Sequence, residues 1–196
     1  MKRILITKAL VATLFVALPA IPAAVAQKPQ APKRNLKVDV RYDKKKDVTT
    51  LRLEPLVIWE GGFAVPRDSM YMLVAFEYPK RTIVKPQEVW IHFDGGSGGD
   101  WEPFPTPNFA AVVDGVRLDL GTFEGGRGAL IRSVPRGGIV IERRRQKVSF
   151  DNFAKIASAR KLTLVIGDHD YDIATEHLQA LNYFYQLMQQ EGREIH

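Results

Sequence analysis

MYMLVAFEY, residues 70–78, is apolar on both alternating faces until Glu77. Side chains of a strand point alternately to its two sides, so this run predicts a central strand covered on both faces. EVWIHFD, residues 88–94, follows with clean alternation: Val89, Ile91 and Phe93 on one face, Trp90, His92 and Asp94 on the other. Upstream, Leu36, Val38, Val40 and Tyr42 alternate with Lys37, Asp39, Arg41 and Asp43. The charged turn Lys44, Lys45 and Lys46 then leads into residues 48–53, a predicted hairpin whose lysines read as a solvated turn. Downstream, Asp114-Gly115 lies between alternating runs in residues 110–120, the strongest short-range signal for a two-residue hairpin turn. A further hairpin is predicted at residues 135–138, between runs 129–134 and 139–143.

At Val148 the period changes. Ser149 is placed as a helix N-cap, with Val148 and Phe153 as a hydrophobic staple, and helical spacing continues to about Arg160. KLTLVI (residues 161–166) reads as a strand, Gly167 to His169 as a tight turn, and residues 170–173 as a short return strand. Thr175 is expected to cap a last helix running to about Glu191, with Leu178, Leu181, Tyr185 and Met188 on its apolar stripe. Together these elements predict one α+β domain over residues 36–196. Its expected form is about eight antiparallel strands in a sandwich or half-barrel, closed by two C-terminal helices.

That C-terminal unit, residues 149–188, resembles the end of a family of uncharacterised exported bacterial proteins. The shared features are a helix ending A-x-A-(R/K)-x-(L/V), an IG turn and a helix carrying AL-x-x-F. The resemblance implies the fold and export and lends no site residue.

Export has its own signal at the other end. Lys2 and Arg3 open the chain, a short apolar stretch follows, and Ala24-Val25-Ala26 sits after Pro19 and Pro22. A basic start, an apolar core and an A-x-A site in that order predict a secretory signal over residues 1–26, cleaved after Ala26. The apolar run is too short for the roughly 20 residues that a membrane-spanning helix needs. The expected location is periplasmic or secreted, with no transmembrane segment after cleavage. Residues 27–35, polar and holding two prolines, read as a flexible lead-in.

Cleavage changes the electrostatic reading. The leader holds Lys2, Arg3 and Lys8 and no acid. The 28 basic residues therefore fall to 25 against 22 acidic ones, and the net charge of +6 falls to +3. So mild a charge, in an exported chain, gives no reason to expect nucleic acid as a partner. With no cysteine, a disulfide framework, a thiol nucleophile and a cysteine metal site are all excluded.

Among candidate sites, Gly95 to Asp100 is a glycine-rich stretch feeding Trp101, Phe104 and Phe109 through Pro103, Pro105 and Pro107. It lacks the Gly-Lys-Ser/Thr of a phosphate loop. With Trp90, the aromatics Trp101, Phe104 and Phe109 form a candidate lip for a sugar ring, a peptide or an apolar partner. The competing reading folds them back onto their own sheet.

His92 and Asp94 leave one face of a strand together, a fragment of a metal or acid–base site. Read alone, they are the wet side of an amphipathic strand. Asp168 to Asp172 is acid-dense, but Ile173 and Gln179 stand where a calcium loop needs glycine and glutamate. Arg143, Arg144, Arg145 and Lys147 form a basic run, read as a guarded edge strand or as a strip for an anionic lipid or polymer. No nucleophile motif is present.

The leading expectation is a non-catalytic exported binding or envelope-interaction module that requires no cofactor. Its expected partners are a cell-wall glycan, a peptide or an envelope protein. The alternatives are a metal-assisted hydrolase using His92 and Asp94, with His169 and Asp170 brought to them, and a structural subunit of an envelope assembly.

Overall fold

The computed structural model describes residues 38–61, 68–97, 103–124, 132–134 and 137–192. The leader of residues 1–26, the lead-in of 27–35, Leu36, residues 98–100 of the glycine-rich stretch and Trp101 lie outside the described residues, as do the 129–131 and 135–136 portions of the hairpin expected at 135–138.

The chain is α+β. Its elements run β1 (Val38–Asp43), β2 (Val48–Leu53), β3 (Leu56–Glu60), β4 (Ser69–Pro79), β5 (Glu88–Ser97), β6 (Asn108–Val113) and β7 (Val116–Thr122), then β8 (Arg132–Val134) and β9 (Gly137–Ser149). The helix α1 (Phe150–Ala157), β10 (Leu162–Ile166), β11 (His169–Asp172) and α2 (Thr175–Met188) complete it. The strands form two antiparallel sheets. A seven-stranded one has the order β1-β2-β4-β5-β9-β8, with β3 also on β4, and a four-stranded one has the order β11-β10-β6-β7.

β4 is the predicted centre, and its length explains β3. One edge of β4 pairs with β5, while the other is shared by β2 (Arg52↔Ala75) and β3 (Leu56↔Met72). Pro55 cannot donate to a ladder, so the chain bulges there and resumes pairing as a separate strand. That break accounts for a strand beyond those the alternation predicts.

Met70, Met72 and Val74 of β4 and Val89, Ile91 and Phe93 of β5 are buried between the sheets. There Phe93 meets Phe109 of β6 and Phe123, with ring centres 5.2 and 5.5 Å apart. Phe109 and Phe123 stack at 5.2 Å, and Phe104 packs on Phe123 at 5.6 Å. The aromatic cluster fastens one sheet to the other.

The expected cap on α1 is present: Ser149 accepts the backbone N–H of Asn152, and Val148 and Phe153 are both buried. α1 ends at Ala157 rather than near Arg160. At α2, Thr175 is already helical; Ala174 occupies the cap position and contributes no side-chain hydrogen bond. Phe153 and Phe184 join the two helices edge to face at 6.3 Å. Among the described residues no helix is long and apolar enough to cross a membrane.

Candidate functional site

Phe104 and Phe109, two of the four aromatics proposed from sequence for a binding lip, are 3 % and 2 % exposed. Both are core residues of the inter-sheet cluster. Of the glycine-rich stretch ahead of them, Gly95 and Gly96 are residues of β5, and Gly98 to Asp100 lie outside the described residues. Gly95 lies within β5, paired with Met70 on one side and Glu142 on the other. A Cβ on Gly95 would stand 2.4 Å from Cβ of Pro103. Glycine is required there because the proline packs directly on the strand, turning Phe104 inward. Trp101 lies outside the described residues. Of the three that are described, Trp90 is half-buried at the surface.

Trp90, His92 and Asp94 share the outer face of the seven-stranded sheet, as their alternation with buried Val89, Ile91 and Phe93 dictates. The same face carries Tyr71, Leu73 and Ala75 of β4, all half-buried, although the sequence pattern predicts them covered. No described element is layered over them. Register fixes the rows. Arg52, Ala75, Trp90 and Lys147 stand in one row across β2, β4, β5 and β9, and Leu73, His92 and Arg145 stand in the next. Tyr71, Asp94 and Arg143 form a third.

Charges frame this apolar centre. The basic run splits by alternation. Arg143, Arg145 and Lys147 point outward, while Arg144 turns inward, pairs with Glu142, and lies 5.7 Å from the Phe104 ring. Each outward cation meets a carboxylate: Arg143 with Asp94 at 3.4 Å, Arg145 with Glu124 at 3.7 Å and Lys147 with Glu88 at 3.3 Å. Such cross-strand pairs fix register more than they create a basic field. β9 is also not a bare edge, because Glu124 bridges to Arg145 through backbone hydrogen bonds in both directions. Arg52 is exposed and stands opposite Asp39, which pairs with Arg41 at 3.9 Å; its own side chain has no ion-pair or hydrogen-bond partner among the described residues.

Trp90 is held as a rigid platform. The Arg145 guanidinium lies 4.6 Å and the Lys147 ammonium 5.1 Å from its ring, and the His92 ring is 6.2 Å away. Cations over an indole are attracted by its negative face, so the ring has little freedom to swing. Burial lowers the pKa of His92 first, and Arg145 lowers it further, with Arg52 adding and Asp94 opposing. The lowered pKa keeps the imidazole uncharged at neutral pH.

That electrostatic setting bears on the metal reading of His92 and Asp94. Asp94 is engaged by Arg143, and His92 stands between two arginines. His169 and Asp170 belong to β11 in the other sheet, where the His169 ring meets Tyr171 at 6.2 Å. Among the described residues no three histidine, aspartate or glutamate side chains gather as metal ligands. In β11, Tyr171 is buried while Asp170 and Asp172 are exposed, which is the alternation of an ordinary strand.

A shallow hollow of about 300 Å³ lies on the four-stranded sheet, lined by residues that include Asn108, Ala110, Arg117, Asp119 and Thr122. Its charged lining residues, Arg117 and Asp119, neutralise each other at 3.0 Å.

Comparison with protein-family models, with curated proteins and with solved structures returns no match to this chain. The residues themselves therefore carry the functional reading.

Proposed function

We propose that the protein is a non-catalytic, exported binding module whose contact surface is the outer face of the seven-stranded sheet around Trp90. One observation carries this reading. Tyr71, Leu73, Ala75 and Trp90 make an apolar centre on rigid strands, rimmed by the ion pairs of Asp94 with Arg143 and Glu88 with Lys147. An apolar centre inside a charged rim is the anatomy of recognition surfaces, and tryptophan, tyrosine and arginine dominate their energetics. Export through the N-terminal leader would bring that face to envelope glycans, peptides or proteins.

The test is a thermal-shift screen of the protein against glycans, peptides and divalent metals, beside a pull-down from envelope extract. A ligand at a hundredfold over its Kd adds roughly 2.7 kcal/mol, which raises Tm by about 5–10 °C in a domain of this size. A response or capture lost in Trp90→Ala and retained in Phe123→Leu supports the reading. A metal response lost in His92→Ala overturns it in favour of metal-dependent chemistry.

A further inference from the structure

We infer that this outer face holds a subsite for one ring of an acidic saccharide, seated over Ala75 between Trp90 and Arg52, with its carboxylate against Arg52 and His92. The inference rests on the binding-module reading of the same face and adds the class of ligand.

The register builds the subsite. Ala75 pairs with Arg52 on one side and with Trp90 on the other. Strands lie about 4.8 Å apart, so the backbones of Arg52 and Trp90 stand roughly 10 Å from one another. Between them rises only a methyl group. A ring seated over Ala75 would by this register have the indole on one side, the guanidinium on the other and Leu73 at one end. Arg145 and Lys147 crowd Trp90 from the β9 side, which leaves the side toward β4 for a ligand. A pyranose presents an apolar C–H face to such an indole.

The acid group follows from the charges. Across β1 Arg52 faces Asp39, which pairs with Arg41 at 3.9 Å, so Arg52 has no ion pair within 4 Å among the described residues, whereas Arg143, Arg145 and Lys147 each have a carboxylate. Arg52 and His92 stand in adjacent rows of the same face, on either side of β4, and the Arg52 charge adds to the lowering of the His92 pKa. A carboxylate placed between them gains a charge-assisted bond from the guanidinium and a second donor if His92 takes up a proton. The next row, Thr50 opposite Glu77, offers a hydroxyl and a carboxylate to sugar hydroxyls. A planar aromatic acid would leave those two groups without partners.

The groups that set the charge of His92 are Arg145 on β9, paired with Glu124, Arg52 on β2, and Asp94 on its own strand. From β4 it faces only uncharged Leu73. Binding of the anion is therefore expected to take up a proton, so affinity should rise as pH falls from 7.5 to 5.5.

An NMR titration of the intact protein would follow the Trp90 indole N–H, assigned with Trp90→Phe, against D-glucuronate, D-glucose and benzoate. The subsite is supported if glucuronate shifts that signal and binds at least about tenfold more tightly than glucose. Arg52→Gln should then cost roughly tenfold to a hundredfold for glucuronate, the usual range for a hydrogen bond to a charged group, and leave glucose unchanged. Ala75→Leu, which fills the place of the ring on an exposed face and spares the core, should abolish both.

Equal binding of glucose and glucuronate, both lost in Trp90→Ala, would overturn the acidic ligand while leaving the binding face standing. Benzoate binding as well as glucuronate would overturn the saccharide. A Trp90 signal unmoved by all three overturns the subsite. In that case the screen and pull-down above decide separately whether the face binds anything else.

Discussion

Asp114 and Lys161 hold each other twice. The Asp114 carboxylate accepts the backbone N–H of Lys161 at 2.9 Å, and the Asp114 N–H donates to the Lys161 carbonyl at 2.9 Å. The same carboxylate oxygen accepts from the Arg160 N–H at 3.0 Å. The β6–β7 turn is thereby tied to the start of β10, and with it the end of α1 to the four-stranded sheet. Asp114 adopts φ +49° and Gly115 φ +88°, both suited to the primed turn of a two-residue hairpin.

Asp114→Ala should therefore cost about 1–3 kcal/mol, because two backbone donors lose an ionised acceptor. Asp114→Asn keeps an oxygen in place and tolerates positive φ, so its cost should be well under half of that. Urea denaturation of the two variants checks the ratio.

Gly95→Ala should destabilise by roughly 1–3 kcal/mol, the range for forcing extra volume into a packed site. The added methyl meets Pro103 at 2.4 Å and the Phe104 ring at 3.1 Å. Phe104→Ala should cost about 3–5 kcal/mol as a large-to-small core change. Both effects belong in urea midpoints. If Phe104→Ala instead left stability untouched and weakened ligand binding, the inward position of this ring would be wrong in solution.

His92 and His177 make the fold acid-sensitive. Burial lowers both pKa values, assisted at His92 by Arg145 and opposed at His177 by Glu176. Below the unfolded value near 6.5 the unfolded chain binds more protons than the native one, so stability falls as pH drops. Above about 6.5 neither group changes stability. Tm measured from pH 7.5 to 5 should decline, and the slope should lessen in His92→Gln and again in the double variant with His177→Gln.

Tyr171 carries a buried hydroxyl with no hydrogen-bond partner among the described residues, and burial pushes its pKa up to about 12. Tyr171→Phe removes a desolvated group that gains nothing in return. It should be neutral or stabilising by up to about 1–2 kcal/mol. In the wild type the unfolded phenol ionises from about pH 10 and the native one only near 12, so stability falls as pH rises through that window. Tyr171→Phe should shift alkaline unfolding upward, read by circular dichroism.

Local chemistry carried most of the fold into the sequence. The central strand read from residues 70–78, the Asp114-Gly115 turn and the Ser149 cap each occupy the predicted place, although one face of that strand is half-buried rather than covered. These signals act over a few residues, where side-chain period and turn geometry decide. β3 escaped because Pro55 interrupts an otherwise continuous ladder, leaving five residues with too little alternation to read. The candidate lip escaped for another reason. Aromatics spaced by prolines have the same composition whether they point to water or to a core. Only the approach of Pro103 to Gly95, set by folding, selects between them. The juxtaposition of Arg52, Ala75 and Trp90 was equally hidden, since it arises only through the pairing of three strands.

The β5–β9 ladder has a kinetic consequence. Glu88 pairs with Ser149 and Ser97 with Val140. Its closure thus brings together residues separated by roughly 40–60 positions, and chains dominated by such distant pairings fold in milliseconds to seconds rather than microseconds. Until β9 arrives, β5 presents an unpaired edge bearing Val89, Ile91 and Phe93, the arrangement most prone to joining a neighbouring molecule. Refolding yield should therefore depend on protein concentration far more than a native sandwich with a paired β5 would imply.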